Sequence, residues 1–575
     1  MSSARSRTTT ETTGLTESSR PTYPIKLSVA AILLAAALGL IVGMSDIANT
    51  SIGWHLASGR WVLDHHAVPR TDMFSFTAEG REWIDHEWLF QTLTAVTHRI
   101  GSEPLLVVLR ALFVAALSVL MLLLARRGGL DPPGALILAA LCLYGARIRF
   151  FLRPELATLL IVPSVVWVFL DRRNDRHWLL KLAILMALGA NLHAGVLVAP
   201  PLLAVLLLGE WLRSRLTPQA AAPSLLSGVL GLAVASATPL LNPYGWKLYT
   251  VPFKVAHLVG LPQIPNPEWI SPSPADVPPL FVALAVGLLV LAARERDPTR
   301  WLLFVISSLL ALRYVRNVGL FFALLPIAVA PALARLTTDR RRHRPGFATA
   351  AAAAVVAIVA LSVVVAPRYH LGFSFSESFY PHRACDFMER EGLLTNPVYN
   401  DVRFGGYLIN RHFPDRQVFI DDRNEIHEPL LSEIYRLFQT SDQAGWHSML
   451  ERYGVTTALL RYNQPFRVVS PGGEFVESRG FSALWFPADQ WALLYWDDTA
   501  MVLAQRSATD PALLDRCEYR MIRPDDLEHL ERRLATDPDL RPAVASELAR
   551  ALEDQPDNRR ALALSEFLLS LPSTQ

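Results

Sequence analysis

The chain has 575 residues, 51% of them hydrophobic and only 18% charged, and its mean hydropathy is +0.27. Those proportions exclude a soluble protein of ordinary composition. A net charge of +2, with no Lys/Arg-rich tract away from the apolar runs, leaves no nucleic-acid partner, and three cysteines (Cys142, Cys385 and Cys517) exclude a disulfide framework and a cysteine zinc cluster.

Residues 1–24 are rich in Ser, Thr and Arg and read as a disordered N-terminus. The apolar run that follows is long enough to span a bilayer, at roughly 20 residues per crossing. It lacks a small-residue cleavage pattern and reads as a retained first helix. Further runs at 104–125, 134–148, 155–170, 178–190, 194–212, 223–241, 278–293, 301–312, 317–334 and 347–366 bring the expected count to about eleven spans. The fold class expected is a polytopic α-helical membrane bundle over 25–366. A C-terminal extracytoplasmic α/β domain over 367–510 and a short helical-hairpin, tetratricopeptide-like tail over 511–575 complete it.

The linkers alternate in charge. One set holds Arg126, Arg127, Arg172, Arg173, Arg176, Arg213, Arg215, Arg294, Arg296, Arg300, Arg335 and the arginines of 340–344. Basic linkers belong on the cytoplasmic side, and the N-terminus, with Arg5, Arg7, Arg20 and Lys26, falls with them. An odd number of spans then puts the C-terminal part outside. The other set holds 46–88, 147–155, 191–193, 242–276 and 313–317. Arg147, Arg149, Arg153, Arg313 and Arg316 lie there against the charge rule. Cations in such places pair with something. The alternatives are headgroups, carboxylates such as Glu155, or an anionic ligand whose phosphate a guanidinium grips in a fork.

The first outer loop, 45–103, is the richest in chemistry. Asp46 lies just past the first span, as a general base or as a helix-ending acid. Residues 51–64 carry Trp54, Ala57 and Trp61 at helical spacing, which suits a short helix lying in the membrane interface. Asp72 follows in a turn. A second amphipathic segment over 83–99 starts with Asp85, His86 and Glu87, which either cap it or take part in chemistry. A metal set drawn from Asp46, His55, Asp72, His86 and Glu87 has no recognised ligand spacing, so no metal is assigned and a divalent cation stays open as a cofactor.

In the C-terminal part, strands are expected at 397–400, 417–421, 456–461, 491–496 and 501–505, with helices from Gly405 to about His412, at 428–439 and at 443–453. Asp421, Asp422 and Arg423 then fall at a strand end, either as a ligand site or as a salt-bridge cluster. Helices over 527–534, 544–552 and 558–571 are too few to stand alone and are expected to dock on the α/β domain.

An acid after the first span, an outer loop with two interfacial helices, many spans and an extracytoplasmic C-terminal domain resemble the GT-C superfamily of multi-spanning glycosyltransferases. A group of bacterial multi-spanning membrane proteins is more closely similar. The pieces that carry this are Gly53-Trp54-His55-Leu56, the Val68–Ser75 stretch, His86-Glu87-Trp88-Leu89, Arg153-Pro154-Glu155, Asn191-Leu192-His193, Asn242-Pro243-Tyr244-Gly245, Arg316-Asn317, Gly405-Gly406-Tyr407-Leu408 and Val418 to Arg423. The resemblance implies a bacterial inner-membrane enzyme with a polyprenyl-phosphate or polyprenyl-diphosphate sugar donor and an extracytoplasmic acceptor. It implies a catalytic carboxylate at Asp46, although Ile47 stands where many members have a second acid. Asp72, Asp85 and Glu87 are the substitutes. Donor phosphate would meet Arg147, Arg149, Arg153, His193, Arg313 and Arg316, with His55 and His86 beside it. A transporter or flippase of lipid-linked glycans and a non-catalytic envelope scaffold remain the alternatives.

Overall fold

The computed structural model of the chain describes residues 25–216, 225–261, 267–338, 345–367, 369–469 and 475–571. The N-terminal segment expected to be disordered, and the arginines of 340–344, lie outside the described residues.

Each expected span has a helix in its place: α1 (Ile25–Gly43), α3 (Trp88–Arg127), α4 (Pro132–Ala146), α5 (Glu155–Leu170), α6 (Trp178–Leu192), α7 (Ala199–Leu216), α8 (Leu225–Ala237), α10 (Pro278–Arg294), α11 (Pro298–Arg313), α12 (Val318–Thr338) and α13 (Pro345–Val364). α2 (Ile52–His65) lies between α1 and α3, and α9 (Val251–Gly260) between α8 and α10. Among the described residues, Trp88–Arg127, Ala194–Leu216, Val315–Thr337 and Gly346–Val364 are long and apolar enough to cross a membrane. The pair Leu225–Leu241 and Gly245–Gly260, bent by 110°, would add a fifth as a broken span, and four further apolar helices are shorter. Small residues let the first helices approach closely: a Cβ on Gly39 would lie 2.4 Å from the Ala115 Cα, and one on Gly43 2.5 Å from that of Ala111.

Two expectations about the first loop change. The amphipathic segment over 83–99 and the span over 104–125 form one helix, α3, broken only by non-helical backbone at Gly101 and Ser102. α2 is a helix, but it lies inside the protein, packed on α3 and on the C-terminal domain, with nine of its residues buried. Trp54 is 8% exposed, so it is a core residue and not a headgroup anchor.

The C-terminal part contains α14 (His382–Arg390), β1 (Val398–Asn400), α15 (Val402–His412), α16 (Asn424–Gln439), α17 (Gln443–Arg452), β2 (Thr457–Arg461), β3 (Phe466–Val469), β4 (Phe475–Arg479), β5 (Trp491–Trp496) and β6 (Ala500–Gln505). The main sheet runs β1-β2-β6-β5, with β1 parallel to β2 and the other pairs antiparallel. β3 and β4 form a separate hairpin that the sequence pattern did not reveal. Residues 417–421 are not a strand of this sheet, although 418–421 are buried. Val418 instead bridges Ser75 of the first loop, its N–H donating to the Phe74 carbonyl and its own carbonyl accepting from Phe76. The segment's polar backbone is satisfied by the loop together with the Asn400 and His427 side chains, which an isolated reading of the apolar run cannot foresee. Helices over Leu527–Thr536, Arg541–Asp554 and Arg559–Ser570 follow, and their Leu530, Leu534, Val544, Leu548 and Leu564 share one core with the sheet.

Candidate functional site

The C-terminal domain and the first loop are joined by a polar seam, and the site lies along it. α2 and α15 cross where glycines face: a Cβ on Gly53 would lie 1.9 Å from the Gly406 carbonyl oxygen, and one on Gly406 2.1 Å from that of Thr50. Gly405 and Gly406 are thus close-packing residues within α15. Across this contact, Asp422 accepts from the Thr50 hydroxyl at 2.5 Å and from the Trp54 indole at 2.7 Å. Burial raises the Asp422 carboxyl above its ordinary range, with Arg153 opposing.

Next to this seam, Glu87 stands just before α3 and receives three imidazoles. His55 Nδ1 lies 3.7 Å from its Oε2, and His86 Nε2 and His193 Nε2 lie 3.4 and 3.6 Å from its Oε1. His55 comes from α2, His86 from the loop and His193 from the end of α6. Burial pushes the Glu87 carboxyl up to about 8, Glu425 adding to the shift while Arg316 and Arg153 oppose it. Burial likewise lowers the His86 imidazole. Arg316, on a short turn between α11 and α12, brings Nη2 to 3.5 Å from His193 Nε2 and stacks over Trp269.

A second cationic group borders the cluster. Arg153 donates to the Asn49 side-chain oxygen at 2.9 Å and to Glu268 at 2.5 Å. Arg149 pairs with Glu155 and reaches Glu268 at 3.2 Å. Burial alone would raise Glu268, but Arg153 and Arg149 outweigh it and hold the carboxyl down at about 2. Arg149 therefore follows the carboxylate-pairing alternative, while Arg316 has no carboxylate ion-pair partner among the described residues.

The remaining expected residues are placed as follows. Asp46 ends the α1 turn; its carboxylate abuts Gly372, and Arg110 binds the carbonyls of Gly43, Ser45 and Asp46. It has no side-chain hydrogen bond or ion pair among the described residues. Asp72 is fully buried, paired with Arg423 and accepting from the Phe74 and Ser75 N–H groups. Asp85 accepts from Ser58 at 2.8 Å and Gln91 at 2.5 Å rather than capping α3, and burial pushes its carboxyl up to about 7. Arg147 folds back onto the Tyr144 carbonyl and ring, and Arg313 lies exposed over Tyr314.

The structure thus gathers His55, His86, Glu87, His193 and Arg316, with Arg153 at the border. Of the five residues in the expected metal set, His86 and Glu87 come together, joined by His193, as a group whose donor atoms all lie within 4.8 Å of one another. Sequence reasoning missed Asn49, Thr50, Glu268 and Glu425. The signal for Glu268 was charge balance, since buried arginines call for carboxylates.

No protein-family profile matches the chain, and no curated protein matches it. Solved structures do. The apo oligosaccharyltransferase of Archaeoglobus fulgidus aligns with a TM-score of 0.55 at 12% identity, over 81% of this chain and 79% of that one. The fold is shared. The same oligosaccharyltransferase tethered to an acceptor peptide containing an NVT sequon aligns with a TM-score of 0.52 at 12% identity, over 80% of this chain and 76% of that one. ArnT from Cupriavidus metallidurans bound to undecaprenyl phosphate has a TM-score of 0.45 at 12% identity, over 84% of this chain and 98% of that one. The expected architecture of helices, loop and C-terminal domain is thus shared with the oligosaccharyltransferase structures, in a mostly helical protein with several apolar helices.

Proposed function

We propose that the chain is a membrane glycosyltransferase that moves a sugar from a polyprenyl-phosphate-type lipid donor to an extracytoplasmic acceptor. The observation that carries this reading is Arg316 standing 3.5 Å from His193 beside Glu87, without a carboxylate ion pair among the described residues, in a chain of GT-C-like fold. A guanidinium held in that way is available to an anion.

In this reading the donor phosphate lies against Arg316 and the rim of Arg153, with His193 beside it. Asp46 takes the proton of the acceptor hydroxyl. The acceptor oxygen attacks the anomeric carbon, the bond from that carbon to the phosphate oxygen breaks, and the lipid phosphate leaves with the electron pair. Cations fixed where that charge develops lower the barrier, because they need no reorganisation during the reaction. Asp46 suits the base because its carboxylate carries no hydrogen bond among the described residues, whereas Asp72 and Asp85 are engaged by neighbours. Asn49, three residues on, ties that segment to Arg153.

The basic linkers support a cytoplasmic N-terminus and a C-terminal domain outside the bacterial inner membrane. An archaeal oligosaccharyltransferase of this fold is known tethered to an acceptor peptide, which supports a macromolecular acceptor here. The test is transfer of labelled sugar from polyprenyl-phosphate donors in isolated membranes. Transfer by the wild type that falls about 100-fold in Arg316→Met is expected; transfer unaffected by that substitution contradicts the assignment.

A further inference from the structure

Three electron-pair donors, on His86, Glu87 and His193, converge at one point of the cluster. The Nδ1 of His86 lies 3.2 Å from the Ile84 carbonyl, which only accepts, so Nδ1 carries the ring hydrogen and Nε2 is a bare lone pair. That lone pair faces Glu87 Oε1 at 3.4 Å. His193 is arranged in the same way. Its Nδ1 is 2.7 Å from the Thr158 hydroxyl, and its Nε2 faces both the donor-only guanidinium of Arg316 at 3.5 Å and the same Glu87 oxygen at 3.6 Å. Nε2 is therefore the accepting nitrogen. Two imidazole lone pairs directed at one carboxylate oxygen repel unless a positive centre sits among them.

We propose that His86 Nε2, His193 Nε2 and Glu87 bind a first-row divalent cation of the Zn2+ class. Glu87 Oε1 lies 3.4 and 3.6 Å from the two Nε2 atoms, the donor spacing that bonds of about 2.0–2.2 Å around one tetrahedral ion give, and the group of three lies within 4.8 Å. Imidazole nitrogens select such an ion over Mg2+ or Ca2+, which prefer all-oxygen shells. The outer hydrogen bonds to Ile84 and Thr158 fix ring orientation, as they do for histidine ligands generally. A second, independent feature points to the same place. His55 is 2% exposed, its Nδ1 has no hydrogen-bond partner among the described residues, and it lies 3.7 Å from the other Glu87 oxygen. It is placed to hold a water or a substrate oxygen on the ion's open side. Arg153 is balanced by Glu268 and Asp422, and Glu425 also acts on Glu87, so an added dication does not stand in an all-positive field.

The inference adds a cofactor to the site of the proposed transferase, and it is read without any sugar substrate. A chain that binds the ion but transfers nothing, or the reverse, separates the two claims. Full-length protein without a polyhistidine tag, in lipid nanodiscs and stripped by chelator, is titrated calorimetrically with ZnCl2. About one equivalent is expected, weakened more than about tenfold in Glu87→Gln and His193→Asn and by about tenfold in Thr158→Val, with exposed His177→Ala unchanged. Absence of Zn2+ binding, or binding undiminished in Glu87→Gln and His193→Asn, overturns the proposal; the bare lone pair would then be met by a proton. Should those variants fail to fold, Co2+ added to the stripped wild type decides: visible ligand-field bands that Zn2+ displaces support the site, and their absence refutes it.

Discussion

Arg423 of the C-terminal domain meets Asp72 of the first loop at 2.8 Å, and neither side chain has any solvent exposure. The same guanidinium grips Asp421 with bonds of 2.8 and 2.6 Å and lies near the rings of Phe74 and Trp83. Removing one partner from a buried pair leaves the other charge uncompensated, at a cost of about 3–5 kcal/mol. Asp72→Asn and Arg423→Met are therefore each expected to lower stability by that order. Unfolding of both variants in nanodiscs measures it. Loss of transfer in Asp72→Asn without loss of stability would instead give Asp72 a chemical role.

The glycine crossing predicts a steric effect. A methyl group on Gly53 or Gly406 meets backbone oxygen at 1.9 or 2.1 Å, where no flexible side chain can give way. Gly53→Ala and Gly406→Ala should each destabilise by about 1–3 kcal/mol and increase protease access at the seam between loop and C-terminal domain. Limited proteolysis alongside thermal melting checks this; wild-type resistance in both variants would refute the close approach.

Glu268 gives a pH dependence whose sign follows from its partners. Arg153 and Arg149 hold its folded pKa at about 2, below the ordinary 4.5. Its contribution is thus present in full above the ordinary value and lost as pH falls toward about 2. The melting-temperature gap between wild type and Glu268→Gln should be constant from neutral pH down to about 5, then close between about 4.5 and 2. A gap unchanged at the acid end would contradict the pairing.

The arginines divide into two kinds. Arg149 is 4% exposed and bound to Glu155, so Arg149→Met should destabilise the fold. Arg316 makes no carboxylate ion pair among the described residues, so Arg316→Met should leave the melting temperature nearly unchanged while removing donor affinity. Parallel thermal melts and lipid-phosphate binding separate the two.

Much of the fold was legible because long apolar runs and their punctuating arginines are local signals. The helices of the bundle follow from them one by one, as do β1, β2, β5 and β6. What was not legible depended on partners distant in sequence. Val418 to Asp421 has the composition of a strand, yet Val418 and the Phe419 carbonyl bond to Phe74, Phe76 and Thr77, more than three hundred residues away, and further bonds go to side chains of Asn400 and His427. Trp54 looked like an interfacial residue because its burial by α15 and Asp422 cannot be read from the α2 sequence. In the site, the recurrent histidines and arginines were visible as types, but only the fold shows that Glu87 meets His55, His86 and His193, while Asp72 and Asp85 serve local structure.

The most direct test of the account is sugar transfer by the purified chain in nanodiscs, with labelled polyprenyl-phosphate sugar and an extracytoplasmic acceptor fraction, comparing wild type with Asp46→Asn. Transfer by the wild type is expected, with donor that still binds but is no longer turned over in Asp46→Asn. Transfer at the wild-type rate by Asp46→Asn would contradict the assigned base, and a wild type that binds the donor without ever cleaving it would contradict the transferase itself.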